Sequence, residues 1–172
     1  MKKNIAILLV LFCLAFSCER DDICPESTPT TPRLIIDFLD LQNQDIVKSA
    51  ENFRVESAED PEMVIDDYQG GGTVSSIILP LKTTGNETRF VFYRDYEEDT
   101  DGTVIDGNPD VVVINYETEE IYVSRACGYK TIYKNVTIAV ENDTDNWINL
   151  IEPINENQSI EDETTTHFNL LH

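Results

Sequence analysis

Short runs of β-branched and aromatic residues, cut at regular intervals by glycine-rich turns, constrain this chain more than any other feature. The runs are Leu34–Leu39, Phe53–Glu56, Met63–Asp66, Val74–Leu79, Thr88–Tyr93, Asp110–Tyr116, Glu120–Ser124, Tyr129–Val140 and Asn146–Ile151. Gly70-Gly71-Gly72, Thr84-Gly85-Asn86, Asp101-Gly102, Asp106-Gly107-Asn108-Pro109 and Cys127-Gly128 punctuate them. With 18 Ile, 13 Val and 16 Thr against 18 Ala and Leu together, strand formers outweigh helix formers. Many short strands at this spacing predict an all-β domain, and an immunoglobulin-like antiparallel β-sandwich is the expected architecture. Leu34, Ile36 and Phe38 alternate onto one face, as do Phe90 and Phe92. The nearly continuous Val/Ile run over Asp110–Tyr116 suits a central strand covered on both faces. Tyr129–Val140 changes character near Asn135, where a bulge or bend is expected. Gln42–Ala50 is the one candidate helix.

The N-terminus reads as an address. Lys2 and Lys3 precede an apolar run, Ile5 to Phe16, and Ser17 lies just before Cys18. This is the layout of a secretory signal peptide, too short for a membrane span of about 20 residues. Ala15-Phe16-Ser17-Cys18 resembles a bacterial lipobox, with Phe16 departing from the usual small residue. The resemblance implies that Cys18 becomes the lipidated mature N-terminus, giving the multiple acyl chains that stable anchoring needs. The expected divisions are residues 1–17 as signal peptide, 18–32 as lipidated terminus and Pro/Thr/acid-rich tether, 33–151 as the sandwich, and 152–172 as a tail or last edge strand.

Of four cysteines, Cys13 is expected to leave with the signal, and the lipobox resemblance implies lipid on Cys18. Cys24 and Cys127 remain, an even pair in an oxidising compartment, and a Cys24–Cys127 disulfide is expected. Two buried free thiols or a redox pair are the alternatives, the second without support from any C-x-x-C motif.

The 172 residues hold 33 acids against 12 Lys and Arg, a net charge of −21. That balance argues against nucleic acid as a partner and against electrostatic attachment to an anionic membrane. From Asp95 to Glu120 there are ten acids and no base. A solvated, edge-protecting hairpin accounts for them. The sharper reading is calcium: Glu97, Asp99 and Asp101, followed by Gly102, match the first half of an acidic calcium loop. The second half fails, because Asn108 stands where a bidentate Glu belongs. No other cofactor is expected.

His167 and His172 are the only histidines, and neither an H-E-x-x-H, a G-x-S-x-G nor a phosphate-cradling glycine loop is present. These absences argue against an enzyme; a carboxylate-pair hydrolase remains as a third possibility among so many acids. Tyr93, Tyr96, Tyr116, Tyr122, Tyr129, Tyr133 and Trp147 could form a glycan platform, although their alternation with aliphatics suits a core better. Asn-x-Ser/Thr at Asn86, Asn135, Asn142 and Asn157 marks polar stretches.

Cys18-Glu19-Arg20-Asp21-Asp22-Ile23-Cys24, Thr31-Pro32-Arg33-Leu34, Phe38-Leu39-Asp40, Leu79-Pro80-Leu81 and Cys127-Gly128-Tyr129 resemble a small Bacteroidetes lipoprotein family of unknown function. The resemblance implies an anchored all-β envelope protein at the outer membrane and supplies no catalytic residues. Glu19, Asp21 and Asp22, interrupted by Arg20, either resemble the acidic signals that send such lipoproteins to the cell surface or simply begin the soluble tether on the periplasmic side. The expected role is a non-enzymatic module that contacts another envelope protein, held to the membrane by lipid at Cys18. A calcium- or glycan-binding module is the alternative.

Overall fold

The computed structural model describes residues 23–28, 30–60 and 63–172. The expected signal peptide, residues 1–17, and the expected lipid site at Cys18 lie outside the described residues. Among the described residues, nine strands form two sheets: β1 (Leu34–Leu39), β2 (Arg54–Ser57), β3 (Val64–Gln69), β4 (Ser76–Leu79), β5 (Glu87–Glu98), β6 (Val104–Ser124), β7 (Gly128–Val140), β8 (Leu150–Pro153) and β9 (Phe168–Leu171). The smaller sheet runs β4-β1-β9-β8 and the larger β3-β2-β5-β6-β7. The chain is an all-β sandwich, as the strand pattern predicts. All pairings are antiparallel except that of β1 with β9.

One core fills the space between the sheets. Leu34, Ile36 and Phe38 of β1, Ile77 and Leu79 of β4 and Leu170 of β9 meet Val55, Phe92, Val112 and Ile114 from the other sheet, all fully buried. Each of these strands alternates, so the buried set comes from every second residue. Phe53 stands edge-on to Phe38, Tyr68, Phe92 and Trp147, with ring centroids 5.3–6.2 Å apart. Such edge-to-face stacking adds to the burial of apolar area. Gly70 fits beneath this core's rim because it has φ +95° and no Cβ; a Cβ would come within 2.7 Å of Tyr96 Cδ1.

Three expectations change. Gln42–Ala50 is not a helix: Asp40 Oδ1 accepts from the Gln42 and Asn43 amides, and Val47 and Ala50 form single bridges to Leu39 and Val74. A local carboxylate–backbone turn outcompetes helical bonding there. Asp110–Tyr116 and Glu120–Ser124 are one strand. The polar residues between them read as a gap, yet they belong to a hairpin paired to β7, where Glu119 meets Lys134 at 2.5 Å. The C-terminal residues are neither tail nor edge: β9 lies between β1 and β8, with Phe168, Leu170 and Leu171 buried. Its parallel partner is more than 130 positions earlier, a separation that strand periodicity does not reveal.

The bulge expected near Asn135 is present. Asn135 has φ 52°, and the β6–β7 register slips between Asn115 and Glu117. Beyond it, Tyr133 bridges Ile160 and the Val136 amide donates to Gln158, so a crossing segment covers part of the β7 edge.

Because β9 is an interior strand, Leu170→Ala should cost about 2–5 kcal/mol in urea unfolding, as much as Ile114→Ala in β6. A cost below about 1 kcal/mol would mean that the C-terminal strand docks only loosely.

Candidate functional site

The two hairpins that extend from β6 define two ends of the molecule. At one end, the β6–β7 turn carries Cys127, which is joined to Cys24, 103 positions earlier. Closing so long a loop restricts the unfolded chain by up to about 4.7 kcal/mol in the chain-entropy account. Other contacts seat the same segment. Thr31 Oγ1 accepts from the Thr131 amide at 3.0 Å. Arg33 makes a forked pair to Glu163, Nε to Oε1 at 3.0 Å and Nη2 to Oε2 at 2.7 Å, while its amide also donates to Oε1. The guanidinium holds the Glu163 carboxyl below the usual carboxylate range. The stretch expected to be an extended tether is therefore fastened to the domain from Cys24 onward.

Three open clefts border this segment. One of about 560 Å³ lies among Thr28, Thr31, Arg33 and Glu163. A second, about 540 Å³, includes Ile23, Tyr122 and Arg125, and a third, about 270 Å³, includes the disulfide, Tyr129 and Lys130. Tyr122 and Tyr129 face each other across the hairpin, ring centroids 5.4 Å apart, and both are exposed. Tyr96, Tyr116, Tyr133 and Trp147 are buried in the core and Tyr93 is half-buried, so the seven aromatics do not form one platform.

At the other end stands the acidic β5–β6 hairpin. Its carboxylates serve its own turn. Asp99 Oδ1 accepts from the amides of Asp101 and Thr103, and Asp101 Oδ1 accepts from the Thr103 amide and hydroxyl. Glu97 lies opposite Asp106 in the ladder. Among the described residues no three His, Cys, Asp or Glu side chains stand where they could hold one metal ion, so Glu97, Asp99 and Asp101 are not gathered into a ligand set. Arg54 secures the hairpin's base, with Glu56 at 2.6 Å, the Tyr96 ring 4.5 Å below its Cζ, and the Tyr96 hydroxyl donating to Glu98 at 2.7 Å. Burial, helped by Glu98, pushes the Tyr96 hydroxyl up to about 12.

Asp110, His167 and His172 are buried. Asp110 is fully buried, and its Oδ2 accepts from the Ile148 amide at 2.8 Å. Burial raises its carboxyl above the usual range. By sequence Asp110 belongs to the acidic block, and its position at the head of a Val/Ile run is the available sign of burial. His167 Nδ1 accepts from the Ile35 amide at 2.9 Å, so the ring is neutral with its proton on Nε2, which donates to the Asp162 carbonyl. His172 packs edge-on against Trp147 and Phe38, with its Nε2 3.0 Å from the Lys48 carbonyl. Burial lowers both histidines below the usual range. The imidazoles thus brace strands instead of facing a cleft.

These features define a class: a disulfide-clamped, strongly acidic β-sandwich with open clefts at one end and a carboxylate-rich hairpin at the other. A family profile described as "Family of unknown function (DUF6452)" matches residues 52–172, and the chain belongs to that family. The match takes in every strand except β1. Searches of curated proteins and of solved structures each found no match.

Replacing Cys24 and Cys127 together with serine should lower stability by about 2–4 kcal/mol while leaving the β-rich circular dichroism intact; unchanged stability would show that the clamp adds nothing. The buried ionisable groups have opposite pH signs. Histidines lowered from 6.5 bind protons more readily in the unfolded chain. Their contribution is complete above that value and is lost as pH falls toward the lowered folded values. Asp110, raised from 3.8, weakens the fold as pH climbs through its elevated folded value. Asp110→Asn keeps an acceptor for the Ile148 amide and should stabilise by about 1 kcal/mol at pH 7, with the gain vanishing in acid, whereas Asp110→Ala should cost about 1–3 kcal/mol. Equal effects of Asn and Ala in urea titrations at pH 7 would contradict this assignment.

Proposed function

We propose that this chain is a lipid-anchored protein of the outer membrane that acts as a non-enzymatic interaction module, binding another envelope protein. The observation that carries the reading is the clamp. The Cys24–Cys127 disulfide fixes the chain, six positions after Cys18, to the tip of the β6–β7 hairpin. A lipid at Cys18 would therefore orient the domain as well as retain it. β6 runs for 21 residues, a contour on the order of 70 Å at the usual strand rise. Its far end carries the acidic hairpin, so the strongest negative field would point away from the bilayer toward a partner. The placement of both histidines in backbone hydrogen bonds and the use of Asp99 and Asp101 as turn caps favour a binding role over catalysis.

The test is acylation and co-purification of the full chain, tagged by insertion in the exposed Thr84–Gly85 loop. Mass spectrometry should find an acylated N-terminal peptide beginning at Cys18. A near-stoichiometric envelope protein should co-purify from gently solubilised membranes and be lost with Cys18→Ala. A mature chain without acyl groups, or one that purifies alone, would contradict the proposal.

A further inference from the structure

The β6–β7 tip differs from the rest of the molecule. Ile121–Val140 contains Arg125, Lys130 and Lys134 and not one carboxylate, in a chain with 33 of them. Tyr122 and Tyr129 are 57% and 66% exposed and stack edge to face, although the other five tyrosines are buried or half-buried. Ile23, 79% exposed, borders the same cleft as Tyr122. Lys130 donates to the Glu161 carbonyl and Lys134 pairs with Glu119, so the exposed aromatic pair and the apolar side chain beside it are the groups favoured at a membrane–water interface, where rings sit at headgroup depth. The tether's Asp21, Asp22 and Glu26 lie close in sequence, so the attraction rests on the rings and the geometry more than on net charge.

We infer that Tyr122, Tyr129 and Ile23 dock the β6–β7 tip onto the phospholipid headgroup layer, making the hairpin a second, non-covalent membrane contact. This rests on the lipid at Cys18. Six Cα–Cα steps separate Cys18 from Cys24, a reach of at most about 20 Å, and the disulfide transfers that limit to Cys127. Tyr129 is two residues further and Tyr122 is its register partner. The short leash thus supplies a high local concentration of lipid surface, so side chains too few to bind a bilayer unaided remain seated on it.

Hydroxyl-radical footprinting of the mature acylated protein tests this, using protein-free vesicles of phosphatidylethanolamine and phosphatidylglycerol, with residues 18–172 carrying Cys18→Ala and no lipid as the soluble reference. Exposed Met63, 59% accessible and on β3's flank, is the internal standard. Oxidation of Tyr122 and Tyr129 should fall about threefold on vesicles while Met63 is unchanged, because rings packed among headgroups present less surface to radicals in the water. A Tyr122→Ser/Tyr129→Ser variant should remain acylated but lose protection at Ile23 and Val123. Equal tyrosine oxidation on vesicles and in solution, with the acyl mass present, overturns the docking alone. A chain lacking acyl groups overturns the anchoring and the docking together. Protection that appears in native envelopes but not in protein-free vesicles overturns it in favour of a protein contact.

Discussion

The parallel pairing of β1 with β9 is the interaction on which the rest of the sandwich depends. Ile36 lies beside Phe168 and Leu39 beside Leu171, so the first and last strands occupy the middle of the smaller sheet. Without it, that sheet divides into two two-stranded ribbons, and isolated hairpin-sized ribbons are marginal in water. The core residues contributed by β1 and β9 would lose their common layer. Polar contacts reinforce the seam: the His167 ring holds the Ile35 amide, Thr166 donates to Asp37, and Arg33 forks onto Glu163.

Closing the fold by its ends explains where the clamp sits. The disulfide and the Thr31–Thr131 contact lead the incoming chain along the β6–β7 hairpin and into β1. The N-terminal segment is thereby committed to the domain before β1 begins, and the non-local pairing with β9 starts from a chain of reduced freedom. The same arrangement makes the two ends of β6 unlike: tyrosines and bases at the clamped end, carboxylates at the other.

Much of this was readable from residue patterns. β1 coincides with the alternation of Leu34, Ile36 and Phe38, the slip at Asn135 follows a change in side-chain character, and the cysteine pair follows from elimination and compartment. What escaped was non-local. Nothing near Phe168 says that its neighbour is Ile36, and the polar run Glu117–Glu120 hides a continuous strand because its support is cross-strand charge pairing instead of burial. Asp110 escaped for a related reason. A carboxylate beside valines reads as a surface residue until the amide it accepts from, at Ile148, is brought opposite it. The functional residues were harder to place than the strands because carboxylates abound and so distinguish no one site.

Native-state amide hydrogen exchange measures the seam most directly. If the β1–β9 pairing closes the fold, the interior amides of both strands exchange only through global unfolding, with the same free energy as those of β5 and β6. Exchange of β1 and β9 at a distinctly lower free energy, while the five-stranded sheet stays protected, would show that the larger sheet stands without them and would contradict this account.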